Sequence, residues 1–202
     1  MTDSEKQEII NDLEAEEGLI VSEYDLMSLK GIAPLDRVIS LTGPIGSESY
    51  QHVLSSLHAM NTSHGPIKLL LNSPGGEVAQ GFAIYELIKN SPSPVDIYGM
   101  GQVMSIAAII LQAGAKRYLS PLARFMIHNG SVSYDKPVDI DKFKSQIKDI
   151  QMDAEIYYDL LEKRSNLSRK RIKQMCYAEK YLTAQQCLEM GLIDGVKLYT
   201  ED

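Results

Sequence analysis

Cysteine is scarce in this chain. Cys176 and Cys187 are the only two among 202 residues, and they share neither a CxxC spacing nor a nearby histidine pair. A disulfide scaffold and a zinc site are both disfavoured, and the pair reads as reduced thiols of a cytoplasmic-type protein. Basic side chains are in the minority, 20 Lys and Arg against 27 Asp and Glu for a net charge of −7, which argues against an extended nucleic-acid footprint. Long apolar runs are missing too: the longest, residues 106–111, is about a third of a membrane span. The N-terminus has no basic patch followed by an apolar core, so neither a signal nor a transit peptide is expected. Neither GxxxxGK[ST] nor GxGxxG occurs, so the glycine turns are not phosphate loops. No metal, nucleotide or other cofactor is expected.

The composition, 44% hydrophobic and 23% charged, is that of an ordinary globular chain, long enough for one well-cored domain. Residues 1–25 carry nine acidic side chains against one lysine, so 1–36 is expected to be an acidic N-terminal extension and 37–202 the main domain. A β-branched run at 37–41 ends in a Gly-Pro turn and predicts a strand. Helical periodicity follows over 47–60, with Ser47 or Ser49 as the cap. The continuous apolar run at 67–71 predicts a strand buried on both faces. It ends in Asn72-Ser-Pro-Gly-Gly76, and the period then becomes helical through Phe82, Ile84, Tyr85, Leu87 and Ile88. A strand at 95–98, a glycine-flexed turn from Gly99 and a helix after Ser105 repeat the unit, with residues 115–119 as connector. A strand over 124–128 ends in His128. Alternation of this kind predicts parallel pairing and right-handed crossovers, with the chemistry-bearing residues on one edge. A helix of about 25 residues is expected over 138–164, longer than a compact domain of this size needs. Short helices after Leu167 and after a Thr183 cap complete the chain, joined by an extended link at 179–182.

Hydrolysis of an amide at neutral pH needs an activated nucleophile, a base held in one tautomer by an acceptor, and two N–H donors for the oxyanion. Ser105 at the start of an apolar helix, His128 at a strand end and the amides of Gly76 and Ile106 have the required types. Glu179 is one of several carboxylates, and spacing alone does not choose it over Asp135, Asp139 or Asp141. His52 and His58 lack partners at metal-ligand spacing.

Several linked stretches resemble the Clp protease proteolytic subunit (ClpP) family: Asn72-Ser-Pro-Gly-Gly76, Gly81-Phe-Ala-Ile-Tyr85, Gly101-Gln-Val-Met-Ser-Ile106, Met126-Ile-His128, Tyr181-Leu-Thr-Ala184 and Glu189-Met-Gly-Leu-Ile-Asp194. The resemblance runs in family order from about residue 37 to 196. It implies an α/β ClpP/crotonase-like spiral of repeated βαβ units with a protruding handle helix at about 138–164. It also implies a serine endopeptidase with Ser105 as nucleophile, His128 as general base, Glu179 at the position of the triad acid, and Gly76 and Ile106 as oxyanion amides. The implied partners are unfolded polypeptide substrates, further copies of the chain in a heptameric ring or two stacked rings, and an ATP-driven AAA+ unfoldase.

Departures from the family are specific. Glu179 stands where aspartate is usual and must fold its extra methylene back to reach the histidine. Asn129-Gly-Ser-Val-Ser-Tyr134 replaces the Gln-Pro and glycine-rich strand that holds substrate. Tyr177-Ala178 replaces an Asp-Arg pair that ties rings together, and 1–36 does not resemble the axial-pore segment. These features leave open a weak or inactive ring subunit and a phage-type maturation peptidase. A crotonase-like acyl-CoA enzyme is a further rival, weakened by the lack of a basic nucleotide-binding cluster.

Overall fold

The computed structural model describes residues 37–62, 65–130 and 139–200. The acidic extension 1–36, the substrate-strand positions 131–134 and Asp135 lie outside them. The described residues form seven strands and six helices: β1 Val38–Thr42, α1 Ser47–Met60, β2 Ile67–Ser73, α2 Val78–Lys89, β3 Val95–Met104, α3 Ile106–Ala113, β4 Arg117–Leu119, β5 Arg124–Ile127, α4 Ile140–Lys163, α5 Arg169–Tyr177, β6 Lys180–Thr183, α6 Ala184–Glu189 and β7 Gly195–Val196. The strands join in the order β1-β2-β3-β4-β7, with β5 beside β3 and β6 on β5. Every pairing is parallel except β5 with β6. This is the expected α/β spiral, with one antiparallel strand that period-based reading took for a link.

Two expectations about strands are corrected. The apolar run of β2 is fully buried on one face only: Ile67, Leu69, Leu71 and Ser73 are inaccessible, while Lys68, Leu70 and Asn72 are half-covered. The turn expected from Gly99 is not a turn, because β3 continues to Met104. It pairs first with β4 at residues 97–99 and then with β5 at 102–104. The register against β2 slips between Leu71 and Ser73, and Gly101 absorbs the bend with φ +60°. One strand thus serves two neighbours in succession, and its far end reaches the β5 edge that carries His128.

The core is the sheet plus α3. All eight residues of α3 are buried, and each inaccessible Ile or Leu contributes roughly 1.5–3 kcal/mol of transfer free energy. A helix hydrophobic all round has to be central. Neither predicted cap residue is the N-cap of α1: Gly46, just before Ser47, holds that position, and Ser49 reaches back to accept the Gly46 N–H at 2.8 Å. Thr183 caps α6 as expected, paired reciprocally with Gln186. Helix α4 is 24 residues long, capped by Asp139, whose carboxylate accepts from the amides of Asp141 and Lys142. Its C-terminal part packs into the body through Tyr157, Tyr158 and Leu161, while Ile140, Phe143, Ile147, Met152 and Ile156 are exposed.

Candidate active site

Ser105 lies between the end of β3 and the start of α3 with φ 55° and ψ −127°, a conformation that side chains with a Cβ rarely adopt. Three contacts hold it there. Its N–H donates to the Met126 carbonyl at 2.9 Å, its carbonyl accepts from Ala108 N–H at 3.0 Å, and the same carbonyl accepts from the Tyr157 hydroxyl at 3.1 Å. A sharp strand-to-helix turn of this type pushes the hydroxyl clear of the sheet.

The imidazole comes from the neighbouring strand. β5 runs parallel to β3 with Met104 opposite Met126, so His128 emerges just past the strand end beside Ser105. His128 Nε2 and Ser105 Oγ are 2.8 Å apart, within proton-transfer distance. Glu179 Oε1 is 3.8 Å from His128 Nδ1, and its side chain is 67% exposed against 21% for the histidine. That separation is Coulombic range without a hydrogen bond. Glu179 is itself in the left-handed region, φ 47°, at the junction of α5 and β6. Of the other carboxylates that spacing left open, Asp139 is engaged in capping α4 and Asp141 lies against Lys144 at 3.5 Å.

The glycine pair after β2 closes the site from the other side. Gly75 has φ +97°, and a Cβ there would stand 2.6 Å from the Ser105 Cβ and 2.9 Å from the Met104 carbonyl. Gly76, φ +154°, bridges to Ile45, and a Cβ on it would meet the Ile45 carbonyl at 2.2 Å. That bridge is closed by Ile45 N–H donating to Gly75 and Glu77 N–H donating to Ile45, so it does not use the amide of Gly76. The amide of Ile106, first in α3, has no intrahelical acceptor. The site therefore unites Ser105, His128, the Gly75–Gly76 turn and the α3 N-terminus, with Glu179 at the rim.

Sequence patterns missed part of this neighbourhood. Tyr157 and Tyr158 read as core periodicity, yet the Tyr158 hydroxyl donates to Asn129 Oδ1 at 2.5 Å, and both tyrosines line a pocket of about 90 Å³ with Ser105, His128 and Asp153. Burial, with Cys176 and Tyr158 nearby, holds the Tyr157 phenol well above its usual range, so it stays a donor. Burial also pushes the Cys176 and Cys187 thiols up to about 12, which keeps both unreactive at neutral pH. Among the described residues no group of three His, Cys, Asp or Glu is placed to hold a metal.

The fold is a parallel α/β spiral that brings together a serine in a rare backbone conformation at a strand-to-helix junction, an imidazole just past the adjacent strand and a glycine turn against both. The sequence model of the Clp protease family matches residues 24–199, and the chain belongs to that family. It is 27% identical over 165 residues to the ATP-dependent Clp protease proteolytic subunit of Deinococcus radiodurans, an alignment that covers 80% of each chain. Its fold is that of a ClpP1 point mutant from Listeria monocytogenes, with a TM-score of 0.75 at 24% identity, covering 82% of this chain and 94% of that one. The chain is a divergent ClpP-type member of a protease family.

Proposed function

We propose that this chain is a serine endopeptidase that cleaves unfolded or flexible polypeptides through an acyl-enzyme. Ser105 Oγ attacks the scissile carbonyl while His128 Nε2 takes its proton and returns it to the leaving amine. The Gly76 and Ile106 amides hold the oxyanion. Glu179 supports the imidazolium that forms. The observation that carries the reading is the 2.8 Å approach of His128 Nε2 to Ser105 Oγ at a serine whose backbone is held in a rare conformation. No nucleotide or metal takes part in these steps. The exposed apolar side of α4 supports assembly into a ring, one or two layers deep, that encloses the sites. Docking of an AAA+ unfoldase and a cytoplasmic setting complete the proposal.

The test is covalent. A fluorophosphonate should label the wild-type protein at Ser105 and leave Ser105→Ala unlabelled, and peptide cleavage should disappear with the label. Absence of labelling in the assembled wild-type protein would sink the assignment. One observation favours a second reading, a catalytically weak ring subunit with a structural role: Glu179 stands beyond hydrogen-bond reach of His128 and is largely solvated. Stoichiometric labelling of Ser105 combined with negligible turnover would select it.

A further inference from the structure

The side of α4 turned to the body passes through Ile150, Ala154, Tyr157, Tyr158 and Leu161. One acid interrupts this stripe. Asp153 is half-buried and shares the wall of the pocket beside Ser105 with Val78, Ile106, Ile150 and Ala154. It sits one helical turn before Tyr157, whose hydroxyl touches the Ser105 carbonyl, and it lines the same pocket as Ser105. Three basic side chains near α4 are engaged with other acids, Lys144 with Asp141, Lys173 with Glu155, and Arg169 with Glu155, Asp159 and Glu162. Among the described residues no cation pairs with Asp153. Burial and then the neighbouring charge of Asp149 raise its carboxyl above the ordinary range. The other titratable groups lining the pocket are His128, Tyr157 and Tyr158.

A partly buried carboxylate in an apolar wall costs free energy that a counter-ion offsets. A basic side chain of the substrate would supply the cation that the described residues do not. We propose that Asp153 is a specificity-determining residue that selects polypeptides with lysine or arginine immediately before the scissile bond. The alkyl stem lies along Ile106, Ile150 and Ala154, and the charged end meets the carboxylate, the division of labour such side chains adopt at mixed surfaces. This inference rests on the reading of Ser105 and His128 as nucleophile and base.

The full-length protein is profiled with fluorogenic peptides that differ only at the residue before the cleaved bond, in parallel with fluorophosphonate labelling of Ser105. Expected is a kcat/KM for lysine and arginine at least about tenfold above that for isosteric norleucine. In Asp153→Asn the ratio should collapse toward unity, and in Asp153→Lys it should turn in favour of glutamate. Each ratio is taken within one preparation, so partial misfolding of a variant does not shift it. Labelled protein that prefers norleucine, or an unchanged ratio in Asp153→Asn, overturns the proposal. Failure of Ser105 to label and of every peptide to be cleaved would instead remove the underlying reading of the site, and the specificity with it.

Discussion

Ser105 occupies φ 55° because its neighbours leave no alternative: β3 ends in register with β5, α3 starts immediately, and Gly75 packs against its Cβ. Gly75→Ala would place a methyl 2.6 Å from that Cβ at a backbone φ of +97°. Expected is a loss of about 1–3 kcal/mol in stability together with loss of labelling, since clash and left-handed strain act at one point. Thermal unfolding and fluorophosphonate reactivity check both halves, and an alanine variant with wild-type reactivity would contradict the geometry. Glu179 is predicted to behave differently from a buried triad acid. Removing a hydrogen-bonded aspartate costs about 10⁴ in kcat in a well-formed triad, but at 3.8 Å and 67% exposure the carboxylate acts mainly through a screened charge. Glu179→Gln should therefore lower kcat by about tenfold, with KM little changed. A fall near 10⁴ would mean that assembly or substrate draws Glu179 into contact.

At the scale of elements, the regular pieces were legible because their periods are strong. Helix α1 and the long α4 fall where their apolar spacing put them, and β2 is only two residues longer than its apolar run. The strands β4, β6 and β7 carried no such signal. β4 has three residues with Arg117 at its head and β7 has two; neither is long enough for an alternation to appear. What orders them is a polar tie visible only in three dimensions. Arg117 is nearly inaccessible, and its guanidinium donates to both Asp194 oxygens, to Gln112 Oε1 and to the carbonyls of Arg164 and Leu192. Partial burial opposes ionisation of Asp194, but the hydrogen bonds and charge of Arg117 outweigh it and hold the carboxyl below its usual range. A depressed folded-state value stabilises above the unfolded value and is lost as pH falls through the folded one. Asp194→Ala should destabilise by about 2 kcal/mol at neutral pH, less than for a fully buried pair because Asp194 is partly exposed. It should also flatten the acid limb of a stability–pH curve below about pH 4. Equal acid sensitivity of variant and wild type in urea titrations would refute the linkage. Candidate-site residues were legible by type and order, whereas Tyr157 and Tyr158 were hidden because their spacing on α4 also satisfies a core stripe, and Asp153 because it is one of many acids on that helix.

At the scale of the whole molecule, α4 has two jobs that a deletion would confound. Its inner side delivers Tyr157 to the Ser105 carbonyl and walls the pocket, so removing 138–164 would wreck the site irrespective of assembly. Its N-terminal half carries the same helix face beyond the body and leaves Ile140 70% and Phe143 45% exposed, with Ile147 beside them. Apolar surface repeated along one exposed helix is not explained by the fold of a single chain, and burying it against a second copy gains transfer free energy at no cost to the inner contacts. The two jobs separate in point variants. Phe143→Asp with Ile147→Asp puts two carboxylates into the shared surface, where like charges from facing copies also repel. Multi-angle light scattering should then report subunits or small oligomers where the wild type runs as a large assembly, with helical content retained. Tyr157→Phe does the converse: the assembly should persist, stability should fall by about 1 kcal/mol for one lost hydrogen bond, and kcat should drop because the strained serine loses a support. A double aspartate variant that still assembles fully would transfer the subunit contact to another face of the molecule, while a Tyr157→Phe protein with unaltered kcat would show that β3, β5 and Gly75 alone suffice to hold the nucleophile.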